Sequence, residues 1–264
     1  MTRTATARPI LQRRLPYDLA DQRPLPGIRP LPAQDWLIRD EAHDAQMARR
    51  DALLADARAQ VLALAPEARA AADELLDQVL AHFWPEAGPG AAQVIRPDGR
   101  AVRIDRADPM ATLGRLVQAD LCILQKQGAE HVLTGAVLCF PASWCLAEKF
   151  RRPLLRIHAP VPDYRPDLAR RVQRLFDGVQ PGRPLWRFNA LWYDDPELHQ
   201  PRRESQRRAP VSGREPGYLR SERQVILRLP QSRAVVFAIH TFVIARADLD
   251  PAQQAALAPP GGAE

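Results

Sequence analysis

Apolar positions recur at helical spacing in the first half of this chain and at strand spacing in the second. From Asp40 onward, Met47, Leu53, Leu54, Val61, Leu62 and Leu64 trace one face of an amphipathic helix that stops near Pro66, and Ala70–Phe83 repeats the pattern before Pro85. QVIRPDGRAVRID then alternates around Pro97, Asp98 and Gly99, a hairpin signature, and residues 109–127 read as helix, with Leu113, Leu116, Val117 and Leu121 on one face. After residue 130 the signal changes. HVLTGAVLCF is β-branched and apolar, PLWRFNALWYDD alternates, and SERQVILRLPQSRAVVFAIHTFVIA reads as two strands joined at Pro230–Arg233. Between them residues 166–179 form an amphipathic helix closed near Gly178. The opening RLPYDLADQRPLPGIRPLPAQDW is punctuated by proline and is predicted to run extended over a core.

Hairpins without regular βαβ alternation imply an α+β fold: an antiparallel sheet, from roughly residue 92 to 245, with helices packed on it. Residues 1–90 are predicted as an extended and helical wrap, 91–250 as the main domain, and 251–264 as a flexible tail. The chain has no internal repeat, no G-x-G-x-x-G fingerprint, no phosphate loop and no G-x-S-x-G elbow, so the usual nucleotide and hydrolase routes have no support.

Composition narrows the classes. With 264 residues and 46% hydrophobic content the chain can bury a core without staples. Cys122, Cys139 and Cys145 form no C-x-x-C pair, which argues against a zinc site or a disulfide framework and fits a reducing compartment. Arg3, Arg8, Arg13 and Arg14 precede the first acidic residue, Asp18, but no apolar core of signal-peptide length follows, so the expected location is the cytoplasm. The late apolar run at 234–245 is too short to span a bilayer. Residues 201–233 carry nine arginines against three glutamates, an excess equal to the whole chain's net charge of +6. That stretch reads as an exposed basic loop, and with Tyr218 as its one aromatic it gives no support for nucleic-acid binding.

Candidate chemistry gathers in LCFPASWCLAEKFRRPLLRIHAPVPD at 138–163. His158 lies there between an apolar run and a rigid Pro-Val-Pro turn, a setting that restricts where its imidazole points and suits metal or haem ligation. A hydrogen-bonded core histidine is the plainer alternative. His43, His82, His131 and His199 read as structural, and Cys139 and Cys145 as small buried hydrophobes rather than thiolate ligands.

FPASWCLAEK at 140–149, IHAPVP at 157–162, WRFNALWYDDPEL at 186–198 and LRSERQVILRLPQSRAVVFAIHTF at 219–242, together with LPYDL near the start and PLPAQDW at 30–36, resemble the haem-dependent oxidative N-demethylase alpha-subunit family in order over nearly the whole chain. The resemblance implies a haem b domain of the Per-ARNT-Sim (PAS) type. It also implies oxidation of a small secondary amine such as dimethylamine, with oxygen, and with electrons from a separate NADPH-dependent flavin and iron–sulfur reductase.

Set against that implication, His158 is the axial candidate for the iron, with His240 and then Cys139 next in line. Val225–Leu229 and Val235–Ile239 are expected to wall the macrocycle, and Arg220, Arg223 and Arg228 are candidates for the propionates or bound oxygen. Glu222, Arg223 and His240 are expected to line the side that holds oxygen and the cationic amine, with Tyr164, Trp186, Trp192 and Tyr193 as aromatic faces. His240 stands where the family tends to carry arginine, a change from a permanent charge to a group that can be neutral. A haem-binding sensor without turnover is the alternative reading.

Overall fold

The computed structural model describes residues 8–88, 90–159, 166–206 and 216–257. The Pro-Val-Pro turn at 160–162, Tyr164 and the centre of the arginine-rich stretch, 207–215, lie outside the described residues. The elements run β1 (Arg29–Pro30), α1 (His43–Asp56), α2 (Arg58–Val61), β2 (Leu62–Leu64), α3 (Arg69–Phe83), β3 (Gln93–Ile95), β4 (Ala101–Arg103), α4 (Pro109–Leu116), β5 (Asp120–Gln127) and β6 (Glu130–Val137). They continue with α5 (Leu146–Lys149), α6 (Leu154–His158), α7 (Pro166–Gly178), β7 (Leu185–Tyr193), β8 (Tyr218–Arg228), β9 (Val235–Ala245) and α8 (Pro251–Ala255).

Seven strands form one antiparallel sheet in the order β1-β7-β8-β9-β5-β6-β2, and β3 and β4 form the separate hairpin expected around Asp98. The longest strands, β8 and β9, pair over their full length and turn through residues 229–234, where the Leu229 N–H donates to the Ala234 carbonyl at 2.9 Å. Successive side chains on a strand point to opposite faces. Val225, Leu227, Val236 and Ala238 pack in one large cluster with Leu53, Leu54, Leu75, Leu76, Val79 and Leu113 of α1, α3 and α4. Ile226, Val235, Cys122 and Leu124 belong to the opposite cluster with Leu154 of α6 and Phe176 of α7.

Two predicted elements differ. The helix expected over 109–127 ends at Leu116, and the chain turns extended at Val117 and enters β5. Leu121, Cys122, Ile123 and Leu124 are all buried because this central strand is covered on both faces, and such a continuous apolar run does not distinguish strand from buried helix. Likewise the first helix stops short of Leu62, and Leu62–Leu64 pair with β6 as an edge strand.

The N-terminal segment does more than cover the sheet. It supplies the two edge strands, and Tyr17 stacks on Phe188 with ring centroids 4.3 Å apart while its hydroxyl bonds Ser221 at 2.8 Å. At the other end, the tail expected to be flexible begins with α8, which Asp250 and Gln253 close in a reciprocal capping box. No described helix is long and apolar enough to cross a membrane.

Asp40 ties the N-terminal segment to the sheet. Its carboxylate accepts bonds from Gln12 Nε2 and Gln118 Nε2, each at 2.8 Å, and lies 2.8 Å from His240 Nε2. Burial alone raises the pKa of this carboxyl, but the bonds from His240, Gln118 and Gln12 and the charge of His240 hold it at about 2, below its ordinary 3.8. A carboxyl depressed on folding adds stability above its unfolded value and loses it as pH falls through the folded one. Wild type is therefore expected to lose about 2 kcal/mol from this group between pH 4 and 2. Asp40→Asn should lower stability at pH 6 and flatten that acid limb, as measured by Tm against pH. Parallel Tm curves for the two proteins would contradict it.

Candidate functional site

A cavity of about 840 Å³ opens on the sheet face covered by α6 and α7, within the range of about 300–1,000 Å³ typical of ligand and cofactor sites. Its apolar part is walled by Leu124, Ile226 and Phe237 from the strands and Ile157, Val172 and Phe176 from the helices. Its polar part is built by the alternation of two paired strands. Arg187, Asn189 and Tyr193 of β7 and Arg220, Glu222 and Gln224 of β8 all line it. Leu25, Pro26 and Ile28, next to edge strand β1, close that end.

His158 is the last residue of α6 and lines the same cavity. Its Nδ1 lies 2.9 Å from the Leu154 carbonyl oxygen, one helical turn back. A carbonyl only accepts, so Nδ1 carries the proton, and in the neutral ring Nε2 carries the lone pair. Burial, aided by the charge of Lys149, pushes the imidazole pKa down, although the Leu154 bond opposes this, so the neutral, ligating form is favoured. Lys149 is itself held by the Ile157 carbonyl at 2.7 Å and by Glu204 at 2.6 Å, and Arg156 grips the same glutamate with both terminal nitrogens. The loop after β7 is thereby pinned beside His158.

Glu222 sits at the centre of a polar ladder. Asn189 Nδ2 and Gln224 Nε2 donate to Glu222 Oε2 at 3.1 and 3.0 Å, and Arg187 Nη1 donates to Gln224 Oε1 at 2.9 Å. Arg220 crosses from the sheet to the loops. Its terminal nitrogens donate to the carbonyls of Phe140, Leu198 and Glu197, and its guanidinium lies 5.8 Å from the Tyr193 ring centroid. The Nε atoms of Arg187 and Arg220 are buried and meet no partner among the described residues.

The structure thus brings His158, Arg220 and Glu222 to one cavity and places Arg223, Arg228 and His240 elsewhere. Arg223 pairs with His240 across β8 and β9 on the opposite face. Arg223 donates to the carbonyls of Asp35 and Trp36, and His240 meets Asp40. The expected convergence of Glu222, Arg223 and His240 is corrected by parity, because adjacent residues of one strand cannot share a face. Arg228 is spent on the carbonyls of Phe176, Val179 and Arg233, closing the end of α7. Of the expected aromatic faces Tyr193 lines the cavity. Trp192 is buried with Phe188, Leu219 and Ile244 on the face away from the cavity, Trp186 lies beside the guanidinia of Arg29 and Arg223, and neither lines the cavity.

The thiol alternatives fare poorly. Burial pushes the Cys139 thiol up to about 12 and raises that of Cys145, and neither lines the cavity. Cys122 does line it, and burial raises its thiol too.

Arg187, Asn189 and Gln224 went unmarked in the sequence. The signal was present in WRFNALWY, where polar residues at 187 and 189 interrupt an otherwise apolar strand at the same parity.

An apolar slot, one neutral imidazole fixed through Nδ1, and buried guanidinium nitrogens awaiting acceptors are the features a haem site requires, and the residues present fit that group. A family model described as haem-dependent oxidative N-demethylase, alpha subunit-like, matches residues 27–258.

Proposed function

This chain belongs to the haem-dependent oxidative N-demethylase alpha-subunit-like family, and from that membership we propose that it binds haem b through His158 and oxidises a small secondary amine such as dimethylamine. The observation that carries the reading is the shared cavity, in which a neutral imidazole and a buried carboxylate face the same space. The five central strands lie in the spatial order β6-β5-β9-β8-β7, with α5–α7 inserted between β6 and β7, which supports a domain of the PAS type.

His158 would hold the haem iron through Nε2, its tautomer set by the Leu154 carbonyl. The apolar wall from Leu124, Ile226, Phe237 and Phe176 excludes water, and Arg220 supplies positive charge beside it. When bound, haem b supplies the oxygen activation that the amino acids lack. Removing one N-methyl group from dimethylamine with one O₂, two electrons and two protons yields methylamine, formaldehyde and water. The electrons come from a separate flavin and iron–sulfur reductase that draws on NADPH. We place the protein in the cytoplasm with that partner.

Secondary amines are cationic near neutral pH, and Glu222 is the counter-charge. Asn189 and Gln224 both bond its Oε2, so Oε1, which takes no bond from the described residues, accepts the ammonium proton and orients the nitrogen.

Absorption spectra of the protein expressed with ample haem, followed by amine-dependent oxygen consumption with a supplied reductant, test the whole reading. A Soret band with steady turnover is expected, whereas a Soret band without turnover would indicate the sensor alternative. In the same assay Glu222→Gln should keep the Soret band and raise the amine concentration needed for half-maximal response by about tenfold or more. An unchanged response would remove Glu222 from the site.

A further inference from the structure

Among the described residues nothing matches the charge of Arg187. This arginine lines the cavity, its Nη1 bond goes to the neutral amide of Gln224, and among the described residues its buried Nε has no partner and no carboxylate lies within ion-pair distance. Burial lowers its pKa, and the more distant charge of Glu222 offsets this only in part. Arg220, by contrast, spends both terminal nitrogens on three carbonyls. A desolvated guanidinium without a counter-ion is costly, and the cost is recovered when an anion enters.

The ladder also has two poles. Arg187 faces Gln224 and Asn189 faces Glu222 across β7 and β8. Same-face neighbours on a strand lie about 7 Å apart. A cationic pole thus stands beside an anionic one on the same wall.

We propose that Arg187 is a carboxylate-binding residue of the cavity, taking either a haem propionate or the carboxylate of an N-methylated amino acid whose ammonium meets Glu222. Both sources rest on the amine-oxidising haem reading, but the chemistry at Arg187 is the same for each. A bidentate guanidinium–carboxylate contact uses the nitrogen edge that the described residues leave unpaired.

The test uses the whole protein purified without haem and probes that differ in their carboxylate. Metal-free protoporphyrin IX is compared with its dimethyl ester by absorption titration, and N-methylglycine with dimethylammonium by thermal shift. Arg187→Gln is expected to bind protoporphyrin, N-methylglycine or both about tenfold or more weakly than wild type, with the ester and dimethylammonium unaffected. A loss confined to protoporphyrin assigns Arg187 to the propionate, and one confined to N-methylglycine assigns it to the substrate. Arg187→Lys keeps the charge without the fork and should fall between the two proteins. It decides the matter alone if circular dichroism shows that the glutamine variant does not fold. Equal binding of all four probes by wild type and variants overturns the assignment, as does an equal loss for ester and acid, or a wild type that binds neither carboxylate. None of the probes contains iron, so failure of His158 as a ligand is read separately from the haem spectrum.

Discussion

His158→Ala is expected to abolish the Soret band of the bound haem or reduce it to that of loosely held macrocycle, while the protein remains folded. The imidazole ends a five-residue helix at the cavity wall, so its removal deletes the proposed ligand without opening the main core, which lies on the other side of the sheet. Among the described residues no second imidazole lines the cavity. The thiol of Cys122, which shares the cavity, is raised by burial, and His240 lies on the opposite face with Asp40. Absorption spectra and haem stoichiometry measure the effect. A wild-type spectrum in His158→Ala would rule this residue out as the ligand.

The largest loss of stability is expected from Asp120→Ala. Asp120 and Arg50 form an ion pair at 2.6 Å with both side chains fully buried, and Arg50 also donates to the carbonyls of Gly114 and Gln118. The carboxylate accepts the backbone N–H groups of Cys139 and Phe140 at 2.7 and 2.8 Å. Removing it strands a buried guanidinium and two buried N–H donors, a loss of about 3–5 kcal/mol. For a chain of 264 residues that corresponds to a fall of roughly 5–10 °C in Tm. The damage should reach the cavity, because the Phe140 carbonyl is the 2.7 Å acceptor for Arg220. The double variant Arg50→Met with Asp120→Leu should recover much of the stability, since apolar replacement of a buried pair is often neutral or favourable. A single variant that melts with wild type would show that the pair contributes little.

Neither member of that pair was legible in the sequence. Arg50 reads as one more polar position on a helix, and Asp120 falls inside the stretch read as a helix from 109 to 127. The two meet because β5 brings Asp120 beneath α1, a contact across 70 residues of chain. Periodicity carries no information at that separation. Parity is different. That Glu222 and Arg223 must face opposite ways follows from the strand assignment alone, and the expectation that they converge set aside a rule the sequence already contained.

The hydrophobic pattern was sufficient to determine the α+β class, the hairpin at 93–103, α3, α7 and the β8–β9 pair, because local periodicity and turn chemistry act over a few residues. Ordered motifs carried the family, since they need no contacts to be recognised. Which polar residues share a cavity was decided by tertiary structure. β8 is buried on both faces, so its polar residues do not reveal which face meets solvent and which meets the cavity. The helices α6 and α7 cover the face bearing Arg220, Glu222 and Gln224, while the N-terminal segment covers that bearing Arg223 and His240. That division depends on which segment packs on which side of the sheet, and only the long-range contacts of the folded chain settle it.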